Sequence, residues 1–295
     1  MIKKLLIILP FYTLLYGSDY SFVTPDKHIH FQANYRPIAE ASVRKGGHLL
    51  YADSSDSLFL SHFLDDENAL SWQVGYNYMK IDWKENPKFS QTHFNYAKAT
   101  LGYITTEMDR WRWILNGGAT VDATTFNFGK SGVYSGFFWG RYHFNNCLGV
   151  HVGLYGYGGV KNAYSLPIIG VDWRIGQKWQ LNAIFPIDMS LEYFFSKDWS
   201  TEIALAAFGG PYRYPWRTHN GQIFEIYSSG VEWDLNYDCN QRFNANPCDK
   251  WFNASIGIGW NFGGWLLVKD EENHHGKYYH YEPAPYAQVE MALNF

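Results

Sequence analysis

Tyr286-Ala287-Gln288-Val289-Glu290-Met291-Ala292-Leu293-Asn294-Phe295, the last ten residues, decide the fold. Ala287, Val289, Met291, Leu293 and Phe295 take every second place, with Gln288, Glu290 and Asn294 between them. An extended chain with that pattern has one apolar face and one wet face. The stretch reads as a strand. An edge strand of a soluble sandwich would alternate in the same way, so the rest of the chain has to discriminate.

The alternation recurs upstream. Between Trp251 and Phe262, the residues Phe252, Ala254, Ile256, Ile258, Trp260 and Phe262 share one face, and Asn253, Ser255, Gly257, Gly259 and Asn261 share the other. Phe252 to Trp260 is eight steps of about 3.3 Å, or roughly 20 Å of depth at a tilt near 40°, which suits an apolar band capped by aromatics. Trp72/Val74/Tyr76/Tyr78, Leu148/Val150/Val152/Leu154, Trp179/Leu181/Ala183/Phe185 and Trp199/Thr201/Ile203/Leu205 repeat it. In a soluble sandwich the second face would be charged; here it is mostly Gly, Ser, Asn and Gln.

Composition points the same way. Aromatic residues make up 19% of the chain, with 13 Trp and 23 Tyr, yet the mean hydropathy is −0.32. Strands that turn apolar side chains to lipid and polar ones to a lumen average to neutral hydropathy, and aromatic girdles at both interfaces supply the Trp and Tyr. Met1 to Gly17 carries Lys3 and Lys4, then an apolar run from Leu5 to Leu15, and ends at Tyr16-Gly17-Ser18. This is the layout of a cleavable secretory signal peptide, too short to span a bilayer. It leaves 18–295 as one domain, with no linker or low-complexity tract. Its removal takes two lysines and no acid, moving the formal charge from −4 to −6, which argues against a nucleic-acid partner.

A strand closing on a C-terminal phenylalanine is similar to the signal that Gram-negative outer-membrane barrels present to their assembly machinery. Gln288, Leu293 and Phe295 fit that signal, while Glu290 stands where a small residue is usual. The expected fold is thus all-β: a transmembrane antiparallel up-and-down β-barrel of 12–14 strands in the bacterial outer membrane. Short turns at 65–68, 107–109, 145–146, 174–177 and 196–198 alternate with longer connections at 84–90, 124–132, 159–165, 209–220 and 263–283, as short periplasmic turns and long external loops do. The short Pro186-Ile187 and the long 236–250 break the rhythm, and so leave the strand number open. Over Leu166-Pro167-Ile168-Ile169-Gly170-Val171-Asp172-Trp173, then Trp179, Pro186 and Leu191-Glu192-Tyr193, the chain resembles an uncharacterised family of outer-membrane β-barrels. That resemblance implies fold and location and carries over no activity.

Catalytic and metal signatures are weak. There is no Gly-x-Ser-x-Gly elbow, and Gly129-Lys130-Ser131 lacks the upstream glycine of a phosphate loop. His62 beside Ser61, His93, His143 and His151 imitate at most half of a lipase site. His274, His275 and His280 fall in a segment expected to be a solvated loop. No catalytic residue, cofactor or metal is therefore assigned. Cys239 and Cys248 share one polar connection and are expected to close a small disulfide loop; Cys147 has no local partner.

Acids are the informative charges. Asp172, Glu192, Glu202, Glu232 and Asp234 alternate with outward apolar neighbours and so line the lumen, with Arg141, Arg174 and Lys80 as the bases placed to answer them. A hairpin turning at Ser196-Lys197-Asp198 sets Glu192 opposite Glu202. A water-filled lumen of this kind prefers cations or zwitterions, whereas a narrow one uses the same charges as internal pairs. The reading is a passive channel for small solutes, with outer-membrane lipid and the barrel-assembly machinery as partners. The alternatives are a lipid-modifying enzyme, and a structural or surface-binding barrel using Tyr212-Arg213-Tyr214-Pro215-Trp216-Arg217.

Overall fold

The computed structural model describes residues 29–44, 47–84, 93–106, 108, 110–159, 162–213, 223–239, 252–269 and 276–294; the expected signal peptide lies outside them. In chain order the elements are β1 (Ile29–Val43), β2 (Gly47–Phe63), β3 (Asn68–Lys84), β4 (His93–Thr105), β5 (Trp111–Asp122), a one-turn helix α1 (Phe128–Ser131), β6 (Val133–Asn145), β7 (Leu148–Gly159), β8 (Asn162–Ile175), β9 (Trp179–Phe185), β10 (Asp188–Phe194), β11 (Trp199–Arg213), β12 (Ile223–Asp238), β13 (Phe252–Lys269), β14 (Lys277–Tyr281) and β15 (Ala284–Asn294). Each strand from β1 to β13 pairs antiparallel with the next, and β15 pairs back onto β1, from His30 opposite Asn294 to Ile38 opposite Tyr286. The sheet is closed. β14 and β15 both lie between β13 and β1 and form one strand, interrupted at Glu282-Pro283, where proline has no N–H to give to a ladder. The barrel therefore has fourteen strands.

The outer face is apolar to a degree that water would not tolerate. Val74, Leu101, Leu115, Ile203, Ile256 and Ile258 are each more than half exposed, between 54% and 60%. They lie at alternate positions of five strands and make one continuous band, the surface of a barrel that crosses a membrane. At the end of the barrel carrying the chain terminus, neighbouring strands put aromatic rings together: Trp111 with Tyr142 at 5.1 Å, Trp179 with Tyr193 at 4.7 Å and Trp199 with Tyr237 at 4.8 Å. This is a girdle at one interface.

Five tight connections close that girdled end, at 64–67, 106–110, 146–147, 176–178 and 195–198. At the first, Asp65 accepts bonds from the backbone of Glu67 and Asn68 and from the Asn68 amide. These bonds, the one from the Asn68 side chain first, hold its carboxyl below the usual carboxylate range. The opposite end carries four of the five longest connections, at 85–92, 123–132, 214–222 and 270–276, while the fifth, 239–251, is at the girdled end; three of the opposite-end connections are shorter than expected. β7 and β8 run on to Gly159 and Asn162, β11 to Arg213 and β13 to Lys269. Gly209 and Gly263 read as loop signals in sequence, but they sit within strands with φ of 91° and 81°. They absorb backbone kinks that a side chain would resist.

Candidate functional site

The lumen is layered. In the half nearer the girdle many inward positions are polar, with Phe59, Ile104 and Ile114 as apolar exceptions, and the strand register gathers acids on one stretch of wall. Glu192 on β10 faces Glu202 on β11, as the hairpin at 196–198 requires, and Glu202 in turn faces Asp234 on β12. Three carboxylates thus stand in one row across three adjacent strands. Glu232, one inward place along β12, and Asp188 on β10 extend the patch.

Neutral donors brace the two ends of this row. Ser200 Oγ donates to Glu192. Gln288 Nε2 donates to Asp234 at 3.0 Å, while Arg36 donates through Nε and Nη2 to the Gln288 carbonyl at 3.1 and 2.9 Å. Tyr286 donates its hydroxyl to Glu232 at 3.0 Å. Room for these partners comes from Gly257, whose added Cβ would collide with the Asp234 carboxylate. Glu202, in the middle, has no hydrogen-bond donor among the described residues.

A second constellation lies on β6, β7 and β8. Arg141 donates through Nε to Asp172 Oδ1 at 2.8 Å and through Nη2 to Oδ2 at 2.5 Å, a two-point pair. His151 places Nε2 at 2.5 Å from the same carboxylate, and its Nδ1 accepts from the Trp139 indole at 3.0 Å. Accepting through Nδ1 leaves the His151 proton on Nε2, aimed at Asp172. The Arg141 guanidinium also lies 2.7 Å from His143. Gly149 makes the pair possible, because a Cβ there would strike both Asp172 and Arg141.

Toward the loop end the lumen is filled by apolar side chains from facing walls. Phe94 on β4 stacks on Phe224 of β12 with ring centroids 5.7 Å apart and an interplanar angle of 16°, although five strands lie between them around one side of the barrel and seven around the other. Ile81, Phe208, Ile226 and Leu266 are buried around them. A second cluster joins Tyr155, Tyr157, Ile168, Ile184 and Ile187. Phe94 and Phe224 thus meet across the lumen at this level.

The remaining expectations fall out as follows. Arg174 keeps inward parity but stands exposed at the girdled end of β8, opposite Gln180. Lys80 is a correction. It is exposed between buried Met79 and Ile81, on the outward face with Trp72, Val74 and Tyr76, so by strand parity it cannot answer the lumen acids. The expected Cys239–Cys248 pairing lies partly outside the described residues, because Cys248 is not among them; the Cys239 N–H donates to the Phe252 carbonyl at 3.0 Å and extends the ladder. Cys147 is free and exposed. His62 and Ser61 are adjacent in β2 and so point to opposite faces, and His93 contacts the Tyr78 hydroxyl at 2.7 Å. His280 lies in β14 rather than in a loop, and His274, His275, Phe295 and Tyr214-Pro215-Trp216-Arg217 lie outside the described residues. Among the described residues no cluster of His, Cys, Asp or Glu has metal-binding geometry. Arg36, Gln32 and Asn34, missed in sequence, brace Gln288 and Glu290 from β1. Strict alternation of Gln32, Asn34 and Arg36 was their available signal.

Residues 29–227 match the family described as Domain of unknown function (DUF6268), and the chain belongs to that family. An uncharacterized protein of Chlamydia pneumoniae is 20% identical over 288 residues, covering 92% of this chain and 88% of its own. A second, from Chlamydia trachomatis, is 21% identical over 175 residues, covering 55% of this chain and 53% of its own. Among solved structures, the COG4313 outer membrane channel from Pseudomonas putida F1 is 11% identical with a TM-score of 0.45, covering 91% of this chain and 96% of that one. The P. putida toluene transporter TodX is 10% identical with a TM-score of 0.46, covering 94% and 92%.

Proposed function

We propose that the protein is an outer-membrane barrel giving small cations and zwitterions a narrow passage, closed in this conformation by the apolar layer at its loop end. The observation that carries the reading is the in-register row Glu192, Glu202 and Asp234 on the inner wall. Like charges directly opposite one another destabilise a sheet. A row of three is retained more economically as a cation-attracting surface than as filling, for which Gln or Ser would pack without repulsion. Arg141 on β6 faces the same lumen, so a zwitterion meets a guanidinium as well as the acid row. In this orientation the girdled end with the tight turns is periplasmic and Phe295 takes part in assembly.

Planar-bilayer recording tests the reading. The native protein should show small, cation-preferring conductance steps, and Phe94→Ala with Phe224→Ala should enlarge them by opening the layer. Absence of conductance from both proteins, with the double variant correctly inserted, would leave a filled structural barrel instead.

A further inference from the structure

The barrel wall has a step in it. β9 and β10 are seven residues each, half the length of their neighbours β8 and β11 at fourteen and fifteen. β8 pairs with β9 only from Ile169 to Ile175, and β10 pairs with β11 only between Ser190–Phe194 and Ser200–Ala204. Beyond the hairpin tip, 162–168 of β8 stay paired to β7 and 205–213 of β11 to β12. Among the described residues no ladder joins the two edges that face each other across the step. Two missing strands leave three inter-strand spacings, about 14 Å, at the tip.

Depth makes this consequential. Trp179, Tyr193 and Trp199 belong to the girdle, and six steps from Trp179 to Phe185 rise about 15 Å at a tilt near 40°, against an apolar band of roughly 25 Å. The tip stops about 10 Å short of the far interface. Open strand edges are not tolerated against hydrocarbon and survive at membrane depth only around a cavity or against protein. Each facing segment also carries a proline, Pro167 and Pro211, the residue that blunts an edge by removing a donor. Apart from Asp188 the sill and inner flank are apolar: Ile187 at the tip is buried in one cluster with Ile168, Ile184 and Tyr157, Tyr164 packs against it, and Ala206 and Phe208 line the β11 side.

We propose that this step is a lateral window between the apolar layer of the lumen and the loop-side leaflet, and that its ligand is a membrane-partitioned molecule with an acyl-chain-like apolar part. The inference rests on the transmembrane barrel and not on conductance, so it stands or falls separately from the cation passage. A pairing strand from another protein is disfavoured as the occupant by the two prolines.

The test is photo-crosslinking in phosphatidylcholine vesicles with labelled acyl chains. p-Benzoylphenylalanine replaces, one at a time, Leu166 and Tyr164 on the inner flank, Ile169 on the lipid face, and Asn116 on the inner face of the unbroken wall. The expected result is lipid adduct at Leu166 or Tyr164 in yield comparable to Ile169, with Asn116 at background. Two inner-flank positions are used so that one variant failing to insert does not decide the matter. Background yield at every inserted flank variant while Ile169 labels would overturn the window, as would adducts to a second copy of the chain in place of lipid.

Discussion

Replacing Glu202 by Gln isolates the central charge of the acidic row. Cross-strand neighbours place Cβ atoms about 4.5–5.5 Å apart, which puts the carboxylates of Glu192 and Asp234 roughly 5–6 Å from that of Glu202. Each ionised pair at that range repels by about 0.7 kcal/mol at the dielectric of water and about 3 kcal/mol at an effective value near 20. Two neighbours therefore make Glu202→Gln stabilising by about 1–3 kcal/mol after partial screening by lumen water. An ordinary surface substitution stays within about 0.5 kcal/mol. Urea unfolding of the reconstituted barrel, followed by tryptophan fluorescence, measures the difference. The gain should shrink from 0.1 M to 1 M salt as the screening length falls from about 10 to 3 Å. In a salt gradient the same variant, and more so Glu192→Gln with Glu202→Gln, should move the reversal potential toward zero. A destabilised Glu202→Gln with an unmoved reversal potential would refute the argument, since it would mean that Glu202 is a satisfied internal partner and not a free lumen charge.

Asp172→Ala leaves the Arg141 guanidinium without its two-point partner in a partly buried site, and should cost about 2–4 kcal/mol by the same unfolding assay; Gly149→Ala, which forces the pair apart, should reproduce much of that loss. Asp65 has a lowered carboxyl pKa, so its contribution is full above the ordinary carboxylate value and is lost as pH falls through the lower folded value; the Asp65→Asn variant should lose that pH dependence in an acid titration of stability. Deleting Phe295 should reduce the amount of heat-modifiable, membrane-inserted protein, read on cold and boiled gels, and undiminished insertion would remove its role in assembly. An epitope placed within 270–276 should be reachable by antibody on intact cells and one at 196–198 should not; the opposite result would invert the barrel.

The period of two was enough to make most of the wall legible, because a membrane barrel writes its two faces into every strand and one residue of slip exposes the wrong set to lipid. The register of Glu192 on Glu202 followed from a tight turn alone. What the sequence hid depended on neighbours that are close in space and distant along the chain. Lys80 shares parity with Trp72 and Val74, so alternation, which outweighs the pull of nearby opposite charge, turns it outward. Gly209 and Gly263 begin two of the expected connections yet lie inside strands, since a glycine serves a turn and a strand kink equally. Phe94 and Phe224 lie on strands six apart, and no periodicity in either announces that the rings will stack across the lumen. The partners of Asp172 arrive from β6 and β7 by register, so only the pairing ladder could reveal that Arg141 and not Lys80 completes it.

These distances also bear on why one barrel carries both an acid row and an apolar layer. Hydrated ions need water along their whole route, and the layer of Phe94, Phe224 and Ile226 offers none, so ion passage requires the layer to part. An apolar molecule needs the reverse, and finds it where Ile187 and Ile168 adjoin the step in the wall. On the proposed reading the two routes meet at Phe208, which shares a cluster with Phe94 and Phe224 and also lines the β11 side of the step. Occupancy of the layer by an apolar ligand would hold it open or wedge it shut, coupling what enters from the bilayer to what crosses the acidic vestibule below. Such coupling is reciprocal in free energy: if apolar ligand changes the affinity of the vestibule for cations, then cations bound at Glu192, Glu202 and Asp234 must change the affinity of the window by the same factor. Lipid-adduct yield at Leu166 should accordingly differ between a permeant cation and an impermeant one at equal ionic strength, and equal yields would separate the two halves of the lumen into independent devices.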